Sequence, residues 1–221
     1  MLRATLVLYI LKAMLSWVPL ANHTAPVSPE HTLARYTSIA EDIADVVMDP
    51  TEAAVLPGQT GDKGIVGNGL LLAAIASLEG AYQEYVDDGS CNDTKWRNAH
   101  ADILRMGGCD GGHAWTIWQI HTMGGLVLTG QYVTGYMYVE DVRLHLETII
   151  TGLKMIKDRK LGARTALHIL RLSMRDHHSL CAYTGESCSG MMPLAVTRLQ
   201  RPIRYMAANP YIEVTDLPAQ P

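Results

Sequence analysis

Apolar residues recur at helical spacing in several segments of the chain. The first clear segment follows Ser28 and Pro29, a pair typical of the start of a helix. Its apolar positions are Tyr36, Ile39, Ala40, Ile43 and Val47. This spacing predicts an amphipathic helix with one buried face. Pro50 restricts the residue before it to extended conformations, so the helix is predicted to end at Asp49.

The next two segments differ sharply in pattern. Residues 51–69 have Gly or Pro at every few positions and predict a loop. Residues 71–82, LLAAIASLEGAY, then predict a helix with one apolar stripe that ends near Gly80. The stripe consists of Leu71, Leu72, Ile75, Leu78 and Tyr82. The lone carboxylate, Glu79, is predicted to lie at the edge of the buried face.

The second half of the chain alternates between loops and helices. Residues 84–112 have no periodicity, and polar loops of this length usually have a function. Apolar spacing predicts helices over 142–156 and 163–174. The basic run at 157–160 is interpreted as a solvated helix C-terminus that complements the helix dipole.

The end of the chain completes a mainly α prediction. Pro193 is predicted to open a last helix, which Pro202 should kink or stop. We expect a single domain over residues 28–205 and an irregular tail over 206–221. A chain of 221 residues is long enough for one such domain to bury a substantial core.

Residues 1–25 have two interpretations. Arg3 precedes the apolar run 4–11, Lys12 interrupts it, and a second apolar run follows over 13–21. The pattern is similar to a secretory leader, and the alternative is an amphipathic N-terminal helix. Eight uninterrupted apolar residues are too few to span a bilayer, so no stable transmembrane segment is expected. Export to the periplasm, cell wall or extracellular space is the favoured interpretation.

Composition and cysteine spacing narrow the function classes. A formal net charge of -4 steers the protein toward neither nucleic acid nor anionic lipid. Two local disulfides are the simplest interpretation of the cysteines, which also suits an exported protein. The pairs are Cys91 with Cys109 and Cys181 with Cys188. Neither pair has zinc-knuckle spacing, and we expect no metal and no cofactor.

Glu79 has a functional and a structural interpretation. A carboxyl group held against Leu and Ile side chains loses hydration, which raises its pKa and suits a general acid. Alternatively, a glutamate at a helix end turns into solvent or pairs with an arginine.

Three motifs in order favour the functional interpretation. They are SLEGAY at 77–82, TIWQIH at 116–121 and CAYTGE at 181–186, with the predicted helix 142–156 before the third. Over roughly residues 66–200 the chain resembles the soluble lytic transglycosylases and their lysozyme-type relatives in the lysozyme-like superfamily. In that group a helix ends with the catalytic Glu, usually followed by Ser, and GLMQ-type and AYN-type motifs come later.

The resemblance implies a lysozyme-like α+β domain with long loops, acting as a monomer on the glycan strands of peptidoglycan. Glu79 would protonate the β-1,4 bond between N-acetylmuramic acid and N-acetylglucosamine and then act as base. Gln119 would hydrogen-bond the sugar near the scissile bond, and Tyr183 would hydrogen-bond Glu79 or the N-acetyl group. Trp115 and Trp118 would stack on sugar faces, with core packing as the alternative. A transglycosylase closes a 1,6-anhydro ring with this single carboxylate.

The motifs also depart from the family pattern. Gly80 replaces the usual Ser, Trp118 replaces Met and Thr184 replaces Asn, which makes reduced activity an alternative. A hydrolysing relative would need a second carboxylate. Its candidates are Asp87, Asp88, Asp93 and Asp110. His113 and His121 are interpreted as structural or surface groups, with direct contact to the substrate as the alternative. The alternatives to an enzyme are an inactive glycan-binding relative and a helical structural or interaction protein.

Overall fold

The fold is described from a computed structural model of the chain. The described residues are 3–22, 27–56, 59–89, 114–121, 150, 152–173 and 193–211. The elements are α1 (Arg3–Trp17), a 3-10 turn (Leu20–Asn22), α2 (Pro29–Val47), α3 (Gly61–Glu79), α4 (Glu84–Asp87), β1 (Ala114–Trp115), β2 (Ile120–His121), α5 (152–157), α6 (Arg159–Ser173) and α7 (Pro193–Ala208). The prediction of a mainly α protein is confirmed.

The chain divides into two compact units. Unit 1 comprises Met1–Leu78 and Leu167–Pro221, and unit 2 comprises Glu79–Ala166. The chain therefore leaves unit 1 at the end of α3 and returns to it within α6.

Helix α2 forms as the apolar pattern predicts. It begins at Pro29, and the Ser28 side chain caps it by accepting a hydrogen bond from the His31 backbone N–H. This bond satisfies one of the amide donors that a helix start leaves unpaired. All five predicted apolar positions of α2 are buried. The helix ends at Val47, before Pro50.

Helix α3 begins earlier than predicted. The loop prediction for residues 51–69 is wrong from Gly61 onward, because this glycine-rich stretch is helical. A Cβ at Gly69 would lie 2.9 Å from Ile10 Cδ1, and one at Gly64 would lie 2.9 Å from Ala54 Cβ. These glycines therefore mark close packing within a helix, although the same residues are typical of loops.

The prediction of a single apolar stripe on α3 is also too narrow. Residues 66–77 are all buried, so every face of this part of the helix is covered. Asn68, only 1% exposed, accepts a hydrogen bond from Val55 N (2.8 Å) and donates one to Ala53 O (3.0 Å). The Asn68 amide thus binds two backbone groups of the preceding loop. Its own oxygen and nitrogen are also satisfied, as buried polar atoms in proteins usually are.

Helix α1 packs into unit 1. Leu6, Ile10 and Met14 are fully buried, and α1 lies against α2. The Tyr9 ring meets those of Tyr205 and Tyr211 edge to face, with centroids 5.5 and 5.2 Å apart. Residues 3–17 are thus an N-terminal helix in this structure, and export stays a prediction. Within the described residues, no helix has the length and hydropathy needed to cross a bilayer.

The basic run at 157–160 does not simply end a helix. Helix α5 ends at residue 157, and α6 begins at Arg159. Asp158 caps this start, because its Oδ1 accepts a hydrogen bond from Leu161 N at 3.2 Å. The prediction of a solvated C-terminus is wrong for Arg159, whose side chain is bound to Asp87.

Helix α7 begins at the predicted Pro193 and continues past Pro202 and past residue 205, the predicted end of the domain. Pro202 lies inside it, so the proline does not stop the helix. The helix ends at Ala208, within the segment predicted to be irregular. Most of the predicted helix 142–156 lies outside the described residues, as do Met174 and the tail from residue 212.

Candidate functional site

Glu79 is the last residue of α3 and the first residue of unit 2. Its side chain is half-buried, in agreement with a position at the edge of a buried face. The helix therefore presents one carboxylate at its C-terminal end, where the chain changes direction.

The turn after Glu79 has an unusual backbone. Ala81 and Tyr82 both have left-handed φ angles, 46° and 55°. Gln83 N donates a hydrogen bond to Gly80 O at 2.8 Å and closes the turn. Two consecutive non-glycine residues in the left-handed region are energetically unfavourable and require support from surrounding packing.

Gly80 has a steric reason to be glycine. A Cβ at this position would lie 2.8 Å from Val86 Cγ1 on α4. No Cβ atom sits that close to a carbon without displacing it. Glycine at this position therefore accompanies a close approach of Val86, and a serine would not fit without a shift.

Residues 114–121, which include the segment TIWQIH, form a tight β-hairpin. Ala114 pairs with His121 and Trp115 with Ile120, so a four-residue turn joins the two short strands. Thr116 and Gln119 in this turn have φ angles of 64° and 46°. Left-handed backbone is rare for a β-branched residue such as threonine.

Gln119 is anchored by its own turn. Its backbone N–H and its side-chain Nε2 both donate to Thr116 O, each at 3.0 Å. The side chain is half-buried. The carboxamide is thus bound to the backbone of its own hairpin turn.

The two tryptophans of the hairpin are packed inside unit 2. Trp115 is 0% exposed and Trp118 is 3% exposed. The Trp115 indole lies directly on Gly152 of α5, and Trp118 Cζ3 lies 3.3 Å from where a Gly162 Cβ would be. As placed, both indoles contribute to the core, and stacking on a sugar would require them to become exposed.

Asp87 is held by an arginine. Arg159 donates from Nη2 to Oδ2 at 2.7 Å and from Nε to Oδ2 and Oδ1 at 3.1 and 3.3 Å. The Arg159 side chain is only 23% exposed, and the Asp87 side chain only 11%. Such bidentate geometry fixes the carboxylate in a structural pair. Asp88 next to it is exposed.

Several predicted residues lie outside the described part of the chain. They are Tyr183, Thr184, His113, Asp93, Asp110 and the four cysteines Cys91, Cys109, Cys181 and Cys188. Among the residues that are described, no three His, Cys, Asp or Glu side chains are arranged to hold a metal ion.

The structure adds residues that the sequence did not single out. Ala81 and Thr116 are in left-handed conformations, and no sequence signal marks them. Gly152 and Gly162 form the surfaces on which the tryptophans pack. An isolated glycine within a helical pattern is a sequence signal for such close packing.

The comparisons with known proteins leave the family open. No protein-family model, curated protein or solved structure matches the chain. The geometry around Glu79 and Gln119 is therefore the basis for a functional proposal.

Proposed function

We propose that the protein cleaves the β-1,4 bond between N-acetylmuramic acid and N-acetylglucosamine in peptidoglycan. Glu79 donates a proton to the glycosidic oxygen, and its carboxylate then takes a proton back. The motif order that resembles the lytic transglycosylases supports this reaction. In this proposal the domain is lysozyme-like, exported and monomeric.

One structural observation adds to that resemblance. Among the described residues, the non-glycine residues with left-handed φ are Ala81, Tyr82, Thr116 and Gln119. All four lie within two of the motifs, SLEGAY and TIWQIH. Backbone strain of this kind clusters at active sites and ligand clamps, where surrounding structure maintains it.

The proposal takes the single-carboxylate form of the mechanism. The ion pair with Arg159 occupies Asp87, so this candidate second acid has a structural partner already. In the single-carboxylate mechanism the ionised Glu79 removes the proton of the muramyl 6-hydroxyl. That oxygen attacks the anomeric carbon, and the product is a 1,6-anhydro sugar.

The test combines clearing and binding of purified cell walls. Glu79→Gln should abolish the loss of turbidity that the wild type produces. Glu84→Gln is the matched control, because it makes the same change on the exposed surface of α4. Mass spectrometry of the products should show anhydro ends, and reducing ends would indicate hydrolysis instead.

The same experiment separates the alternatives. Clearing that survives Glu79→Gln would contradict the mechanism. Binding to insoluble peptidoglycan without clearing would identify an inactive glycan-binding relative. Failure to bind the walls at all would favour a structural or interaction protein.

A further inference from the structure

The turn that follows Glu79 is held at two points. Gly80 lies against Val86, where a Cβ would come within 2.8 Å of Val86 Cγ1. Two residues later the Tyr82 side chain is 0% exposed. The backbone is left-handed at Tyr82 and at Ala81, the residue between Gly80 and Tyr82.

The buried ring of Tyr82 explains how this backbone persists. A left-handed non-glycine residue relaxes to a commoner conformation unless packing prevents it. Burial of an aromatic side chain supplies a large favourable free energy, and it does so only while the backbone holds the ring in place. Gly80 has no side chain that could contribute in the same way. Tyr82 is therefore the residue whose packing holds the turn.

This turn also constrains the backbone of Glu79, the last residue of α3. Helix ends fray, because their final carbonyl groups lack partners within the helix. Gln83 N donates to Gly80 O only in the closed turn, and this bond directly follows Glu79. If the turn opens, the end of α3 can unwind and the Glu79 carboxylate loses its direction.

We propose that Tyr82 is a positioning residue that fixes the orientation of the Glu79 carboxyl group through the Gly80–Gln83 turn. The catalytic part of this inference rests on the proposed function, in which Glu79 is the acid. The orientation itself is a property of the folded protein that can be measured without any activity.

The variants separate the effect of the Tyr82 ring from that of the turn backbone. Tyr82→Ala removes the buried ring, and Tyr82→Phe retains it. Ala81→Gly is the matched control, because it alters the same turn at the other left-handed position and removes no buried ring. Tyr82→Leu replaces Tyr82→Ala if the alanine variant does not fold, as judged by circular dichroism.

Two readouts are needed. The first is the carboxyl carbon NMR signal of Glu79 in full-length protein labelled at glutamate, assigned with Glu79→Gln. The second is kcat and KM for solubilised peptidoglycan strands. We expect Tyr82→Ala to shift the signal and to lower kcat by about 10- to 100-fold with KM little changed, because misplacement of a reacting group mainly affects the chemical step. Tyr82→Phe and Ala81→Gly should resemble the wild type.

The outcomes are distinct. A folded Tyr82→Ala or Tyr82→Leu variant with an unchanged Glu79 signal and unchanged kcat would overturn the inference. If the wild type does not cleave peptidoglycan, the proposed function fails, and the NMR comparison still decides whether Tyr82 orients Glu79.

Discussion

The Trp115 indole packs directly on the backbone of Gly152, in the space that a side chain at position 152 would occupy. Trp115 lies in β1, the first strand of the hairpin, and Gly152 lies in α5. Because the ring is fully buried, it cannot move aside without opening the core of unit 2.

Gly152→Ala should therefore destabilise the protein by at least about 2 kcal/mol, since overpacking of a filled core displaces its neighbours. Gly162→Ala is the matched control. The added Cβ would lie 3.2 Å from Thr116 Cγ2. The higher helix propensity of alanine stabilises this variant by about 1 kcal/mol. Urea denaturation of both variants gives the comparison, and equal stabilities would contradict the packing described for Trp115.

The pair Asp87 and Arg159 gives a second prediction. Asp87→Asn should lower the free energy of unfolding by about 1–2 kcal/mol, between the values for exposed and buried ion pairs. Arg159→Lys keeps the charge and loses the planar fork, so its loss should be smaller. A double-mutant cycle measures the coupling, and a coupling near zero would show that the pair does not contribute.

Asn68 should be among the most sensitive polar residues of unit 1. Asn68→Ala leaves the buried Val55 N–H without its acceptor, which should lower stability by about 1–3 kcal/mol. Ala53 O keeps a second donor, Arg171 Nε at 3.1 Å. Asn209→Ala is the control, because that exposed amide makes one local bond to Tyr205 O. A loss no larger than that of the control would argue against the buried bridge.

Gly80→Ser tests the steric account of why this position holds a glycine. The single change should lower stability by about 1–3 kcal/mol, because its Cβ meets Val86. Val86→Ala removes the Cγ1 atom concerned. The double variant should therefore lose less stability than the sum of the two single losses, as thermal or urea denaturation can show. Strict additivity would mean that Val86 is not the obstacle.

Tyr9 should make stability depend on alkaline pH. Burial raises the pKa of Tyr9 from 10.0 to about 12. The folded state therefore keeps a proton that the unfolded state has lost, so this contribution to stability is complete below pH 10 and is lost as pH rises toward 12. Burial also raises the pKa values of Tyr36 and Tyr205.

Tyr9→Phe removes this titration and the bond from the Tyr9 hydroxyl to Asn209 O. Its stability should fall less steeply than that of the wild type between about pH 10 and 12, in denaturation curves recorded across that range. Parallel curves for the two proteins would show that Tyr9 does not titrate abnormally.

The sequence by itself determined the elements whose signals are local. The Ser28–Pro29 start, the apolar spacing of α2 and the end of α3 at Glu79 are all in the structure, because caps and periodicity act over a few residues. The motif order that led to Glu79 and Gln119 was likewise read from the sequence alone.

Only the tertiary structure decided that glycines of α3 are helical and that Arg159 forms an ion pair. Gly64 and Gly69 lie in a helix, with Ala54 and Ile10 packed against them, and the local sequence does not show these contacts. Arg159 belongs to an ion pair rather than to a solvated helix end, because folding brings Asp87 to it. The left-handed turns at Ala81 and Thr116 are likewise visible only in the structure, because local sequence preferences oppose such a backbone.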